Sequence, residues 1–190
     1  MPRRRSDDKR SAILRAAISV IAERGLSSAP TVAISKAAGI AEGTLFTYFA
    51  TKHDLANALY LDIKQSMAEA MFRGVPQDAD FEQSMRHHWN NFIRWGVAEP
   101  QALQVMEQLA SSGMLTAETT AAGSAPFAAL EQFIRDAIRK GTLRKLPFDF
   151  LTSSFEAIAQ NTIRQIHLGK GNPATLRRLG FEMLWRAIAE

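Results

Sequence analysis

The residues best able to do chemistry sit in one short stretch, Glu42-Gly43-Thr44-Leu45-Phe46-Thr47-Tyr48-Phe49. If the stretch is helical, Leu45 and Phe49, four apart, face a core. Glu42, Gly43, Thr44, Thr47 and Tyr48 then lie on or beside the exposed side. Small polar groups near a helix N-terminus approach phosphates and base edges, and the positive end of the helix dipole assists. That is the chemistry of contact with a polyanion. Bond-making chemistry is poorly supplied. His87-His88, His53 and His167 lack a metal-ligand spacing such as H-E-x-x-H, and G-x-x-x-x-G-K-[ST], G-x-G-x-x-G and G-x-S-x-G are all missing. Asp78 and Asp80 read as capping groups at a helix start. With no cysteine there is no disulfide, thiolate ligand or catalytic thiol. Neither an enzyme nor a bound cofactor or metal is expected.

These residues need a frame, and apolar periodicity supplies a helical one. Ile13, Ala17, Val20 and Ile21 share a face of a first helix that Gly25 ends. Thr31 to Ala38 and Glu42 to Phe49 read as two short helices around a tight turn at Gly39, the helix-turn-helix plan, with Ile34 and Ala38 inward. Lys52 to about Phe72 reads as a longer helix through Leu55, Leu59, Ile63 and Met67, broken by Gly74 and Pro76. Further helices are expected over Asp80–Val97, Pro100–Ser111 and Pro126–Lys140, then from Leu151 to a stop at Gly169. Asn172 and Pro173 open the last helix, which runs to about Ala189. Ser111 to Ala125, rich in Gly, Ser, Thr and Ala, reads as a mobile loop. No segment alternates like a strand. The expectation is an all-α protein of about nine helices: a three-helix domain over residues 1–55 and a larger helical domain over 56–190.

The charge divides at the same place. The net charge of +4 comes entirely from residues 1–55, where nine Lys and Arg meet five acids; the remaining 14 basic and 14 acidic side chains cancel. A basic N-terminal part suits a polyanionic partner. No apolar run approaches the roughly 18 residues that span a bilayer, and the basic N-terminus lacks a secretory apolar stretch. A soluble cytoplasmic protein is expected.

The run Ala38-Gly39-Ile40-Ala41-Glu42-Gly43-Thr44-Leu45-Phe46-Thr47-Tyr48-Phe49, followed by Lys52 and Leu55, resembles the DNA-binding signature of tetracycline-repressor-type (TetR) regulators. The resemblance covers about residues 10–60. It implies that Thr44, Tyr48 and Lys52 contact phosphates, that Glu42, Gly43 and Thr47 lie nearest base edges, and that Lys36 belongs to the DNA-facing set. It also implies that Arg3-Arg4-Arg5 could reach along the duplex. Four residues depart from the signature. Ala41 replaces a capping Ser, Phe46 replaces a Tyr whose hydroxyl meets the backbone, and Ser35 stands where Ala is commonest. Pro30 takes the place of a Ser/Thr cap, and could serve as the first residue of its helix with Ala29 as the cap.

Phe81, Met85, Trp89, Phe92, Trp95, Met106, Phe127 and Phe133 form an aromatic and Met stripe that reads first as core. The resemblance implies that such a bundle encloses a small, largely apolar effector. Trp89, Phe92, Met106 and Phe133 would line its site, with His88, Glu107 or Glu131 as polar contacts. On the last helix Leu176, Leu179 and Met183 take one side, while Phe181, Leu184, Trp185 and Ile188 spread onto others. That width calls for partners on two sides and supports a homodimer, the alternative being burial within the chain. The resemblance therefore implies a ligand-responsive regulator of transcription, most often a repressor, that binds a palindromic double-stranded operator as a homodimer. The 52–72 helix would be its lever. The residues alone leave open a helical small-molecule binder or enzyme without a DNA role, and a helical adaptor that binds only protein.

Overall fold

A computed structural model describes residues 2–76 and 78–190, with side chains from Asp7 onward. The Arg3-Arg4-Arg5 side chains and Gln77 lie outside that set. Among the described residues the chain forms ten α-helices and one 3₁₀ turn: α1 (Pro2–Arg24), α2 (Thr31–Ala37), α3 (Glu42–Tyr48), α4 (Lys52–Phe72), α5 (Phe81–Ala98), α6 (Pro100–Ser111), α7 (Ala117–Ser124), the 3₁₀ turn Ala125–Phe127, α8 (Ala128–Arg139), α9 (Phe148–His167) and α10 (Pro173–Ile188). The all-α expectation holds. A lone antiparallel bridge, Leu143 to Ala189, takes the place of any sheet among these residues.

Local chemistry explains most boundaries. Gly25, at φ +80°, ends α1, and its N–H reaches Ile21 O at 2.8 Å. Asp80 and Gln83 cap α5 reciprocally, Gln83 N–H to Asp80 Oδ1 at 2.8 Å and Asp80 N–H to Gln83 Oε1 at 3.2 Å. Pro100 stands in the first turn of α6. Asn172 accepts the N–H groups of Ala174 and Thr175 at the start of α10.

Two expectations need correction. Ser111 to Ala125 is not a continuous loop. After a turn at Gly113 (φ +70°), Thr116 accepts the Thr119 N–H and opens α7, whose alanines favour a helix. Gly123 packs its Cα on Tyr60, where a Cβ would lie 2.7 Å from Cε1. The helix expected from Pro126 begins at Ala128, because residues 125–127 wind more tightly.

The chain falls into two compact units, and the division along α4 lies after Ser66. The first comprises the chain up to Ser66 together with Glu99–Ala125. In it α1 packs on α2 and α6, and α2 packs on α3, around Ile13, Leu14, Ala17, Ile34, Leu45 and Leu59. The second comprises Met67–Ala98 and Pro126–Glu190. There α5, α9 and α10 pack together around Trp89, Ile93, Ala159 and Phe181. The end of α4 is capped from α5. Met71 O lies 3.2 Å from both His88 Nδ1 and Asn91 Nδ2, and Arg73 O lies 2.8 Å from His87 Nε2.

Candidate functional site

The Glu42–Phe49 stretch is built as its pattern requires. Gly39 takes φ +68°, a conformation that costs a residue with a Cβ, and so turns the chain from α2 into α3. Ile34 and Leu45 are fully buried and Phe49 nearly so, which sets the angle between the two short helices. Arg10 of α1 lies over the Phe49 ring, 5.6 Å from its centre. A polar clamp joins the helix starts: Thr31 Oγ1 donates to Glu42 Oε1 at 2.8 Å.

On α3, Gly43 and Thr47 lie one turn apart, opposite Leu45 and Phe49, and both are exposed. Half-buried Thr44 and Tyr48 flank this ridge on one side; Glu42 and Phe46, the latter 42% exposed, flank it on the other. A Cβ on Gly43 would meet nothing within 4 Å, so packing within the chain does not demand glycine there. The Thr47 hydroxyl donates back to Gly43 O at 3.0 Å and keeps its acceptor capacity outward. Lys36 is exposed in the last turn of α2.

Lys52 has a partner within the chain. A lysine at a helix start opposes the dipole, but its ammonium donates to Leu26 O at 3.0 Å, and Asp54 shares its first turn. Thr51 and Asp54 cap α4 reciprocally, Thr51 N–H to Asp54 Oδ2 at 3.0 Å and Asp54 N–H to Thr51 Oγ1 at 3.1 Å. The T-x-x-D spacing is a capping signal that the sequence carries and that its reading missed, whereas nothing in the sequence marks the Leu26 contact, 26 residues away. Two of the three ammonium donors remain for another acceptor.

The signature's departures have local consequences. Ala41 is the N-cap of α3 and provides no side-chain bond, so the lost cap is real. Pro30 is not the first residue of α2; it occupies the N-cap position itself in extended backbone, again without a side-chain cap. Buried Ser35 satisfies its hydroxyl on Val32 O at 3.0 Å.

The expected effector contacts divide between the two units. Trp89, Phe92, His88, Phe133 and Glu131 belong to the second, Met106 and Glu107 to the first. Trp89 is fully buried, its Nε1 donating to Arg177 O at 2.8 Å, edge-on to Phe155. Phe92 is buried against Phe155 and Trp95. Phe133, 40% exposed, stacks at a tilt on Phe81, 4.7 Å between centres. Glu131 pairs with Arg135 on its own helix. Met106 is half-buried and Glu107 exposed. Burial pushes the His88 imidazole below its usual pKa, the Met71 carbonyl partly offsets that, and neighbouring His87 adds to the lowering. Among the described residues no three His, Asp or Glu side chains gather as a metal set.

The last helix is two-sided. Phe181, Leu184 and Ile188 are buried in the second unit, while Leu179 (43%) and Met183 (61%) are exposed.

Residues 13–59 match the model of a family described as bacterial regulatory proteins, tetR family. A fatty acid metabolism regulator protein of Bacillus subtilis (strain 168) is 32% identical over 73 residues, 38% of each chain. An uncharacterized HTH-type transcriptional regulator of the same organism, YvdT, is 37% identical over 81 residues, 43% of this chain and 41% of its own. The matched part thus spans about two-fifths of either curated relative. Over nearly the whole length, the chain superposes on a TetR family transcription regulator from Marinobacter aquaeolei VT8. Its TM-score is 0.91 at 25% identity, covering 99% of both chains. The fatty acid degradation regulator FadR from Bacillus halodurans shares the fold, with a TM-score of 0.72 at 21% identity over 93% of this chain and 94% of that one.

Proposed function

For a chain that belongs to the tetR family of bacterial regulatory proteins and carries its helix-turn-helix, we propose the role of a ligand-released repressor that holds a palindromic operator as a homodimer in the cytoplasm. One observation carries this reading. The α3 face opposite its buried anchors presents Gly43 and Thr47, where a glycine unneeded by packing lets the backbone come close to an outside surface. No described helix is long and apolar enough to cross a membrane.

Residues 1–55 do the DNA reading and residues 56–190 do the effector binding and dimerisation. Gly43 and Thr47 meet base edges in the major groove. Thr44, Tyr48, Lys36 and Lys52 meet phosphates, Lys52 with the donors that Leu26 leaves over. Glu42 reaches a base edge only with the carboxylate oxygen that Thr31 does not hold. Leu179 and Met183 meet a second copy, which spaces two α3 helices for two half-sites. The effector is small and largely apolar, held by the contacts expected from the sequence. A fatty acyl group is the first class to test, because a fatty acid metabolism regulator is among the relatives.

The test is selection of bound fragments from genomic DNA, followed by anisotropy on the recovered duplex. The expected result is a palindromic site whose affinity falls steeply with salt, with Thr47→Val changing base preference. Salt-independent binding, or none to any fragment, rejects the role.

A further inference from the structure

Within the first unit, α6 is tied to the end of α1 and to the loop that follows it by two glutamines one turn apart. Gln108 Oε1 accepts the Leu26 N–H at 2.8 Å, and Gln104 Nε2 reaches Ala22 O at a long 3.4 Å. Leu26 is itself the acceptor for Lys52. Three elements thus meet at one residue: α6 through its N–H, α4 through its C=O, and α1 through the Gly25 turn just before it. The Leu26 side chain is buried, so this residue has little freedom to move independently of those three elements.

We propose that Gln108 is a positioning residue for DNA binding, acting through Leu26 on the Lys52 ammonium. The proposal rests on the reading above that Lys52 meets a phosphate. A lysine side chain has four rotatable bonds and a strongly hydrated head, so an untethered ammonium is spread over many positions. The Leu26 carbonyl gathers it to one place while leaving two donors for a phosphate. The carbonyl stays where Gln108 holds the chain. Retreat of α6 by about 1 Å stretches a 2.8 Å bond beyond hydrogen-bonding range, and the Lys52 anchor loosens with it. The position of α6 is thereby transmitted to a phosphate contact by a residue that never touches DNA. Asn57 ties the segment after α6 to α4 as well, donating to Met114 O at 3.1 Å and accepting from Thr116 N–H at 3.0 Å. The α6–α7 segment therefore grips α1, its loop and α4 together.

The chemistry distinguishes variants of one size. Gln108→Glu keeps an oxygen acceptor for the Leu26 N–H, whereas Gln108→Met fills the space without one. Gln104→Met removes only the contact to Ala22 and serves as the structural control. Anisotropy on the selected duplex is measured across salt for these, for Lys52→Met and for the double variant. Gln108→Met is expected to weaken binding by about two- to ten-fold, the worth of one ordinary hydrogen bond, and to flatten the salt slope by nearly one ion. Gln108→Glu and Gln104→Met keep the wild-type slope, and Gln108→Met adds nothing once Lys52 is Met. An unchanged slope in Gln108→Met overturns the proposal, and so do fully additive effects in the double variant. Nitrogen-15 spectra of the lysine ammonium groups in the free protein decide the relay even if the wild type binds no duplex. A Lys52 signal displaced by Gln108→Met and restored by Gln108→Glu supports it; a signal indifferent to both overturns it.

Discussion

Replacing Gly180 with alanine tests whether α10 is as closely seated on α5 and α9 as the geometry requires. A Cβ there would clash with Thr162 Oγ1 and lie 2.7 Å from Trp89 Cζ2. Neither neighbour can retreat at no cost. Trp89 is fully buried, edge-on to Phe155 and Phe181, with its Nε1 bound to Arg177 O. Thr162 can rotate only by giving up its 2.8 Å bond to Ile158 O. Overpacking of this kind costs about 1–3 kcal/mol and the lost hydrogen bond about 1 kcal/mol, against about 1 kcal/mol gained from the better helix propensity of alanine. The net is destabilisation by about 1–3 kcal/mol, a fall in Tm of about 3–10 °C for a chain of this length. Thermal and urea melts followed by circular dichroism measure it. Gly43→Ala is the internal control: its Cβ meets nothing within 4 Å, so only the propensity gain remains and the Tm should hold or rise. A Gly180→Ala variant as stable as wild type would refute the reasoning, because the packing would then have to yield without cost.

Three further outcomes are expected. Ala41→Ser should add the missing cap of α3, since residue 41 already has the extended backbone (φ −70°, ψ 147°) that a capping serine needs; the gain is about 0.5–2 kcal/mol, read as a higher urea midpoint with an unchanged slope. Burial lowers the pKa of His88 in the folded chain, so as the pH falls the unfolded chain takes up that proton first. Stability is therefore full above about pH 6.5 and falls as the pH drops below it, and His88→Gln should flatten that fall in melts between pH 5 and 7. Met183→Glu places a charge on the exposed face of α10 and should shift sedimentation to the monomer, with loss of operator binding and little change in helix content; a dimer that persists would show that this face is not the contact.

Most of the helices were legible because their signals are local. Ile34 and Ala38, Leu45 and Phe49, and Leu55 and Leu59 each stand four apart, and Gly25 and Gly39 punctuate the chain where only a left-handed residue turns it. Asn172-Pro173 announces α10 by cap and first turn alone. Where composition was weighed instead of capping, the reading failed: Gly, Ser and Thr around Thr116 suggested a loop, yet the Thr116 cap and the alanines after it make a helix.

The sequence by itself determined the helical class, the two short helices around Gly39 and the face of α3 turned away from the core, because each follows from the spacing of residues a few positions apart. Only the tertiary structure decided the partners of those residues. Lys52 meets Leu26, Gln108 meets Leu26 from 82 positions away, and Trp89 meets Arg177 from 88. Periodicity states which face of a helix is apolar; it carries no record of which polar group the packed neighbour will bring to that face. A backbone donor or carbonyl looks the same at every position in a sequence. Packing singles out the one that must be satisfied, and so Lys52 is held from within the chain by a carbonyl that its own position in the sequence does not announce.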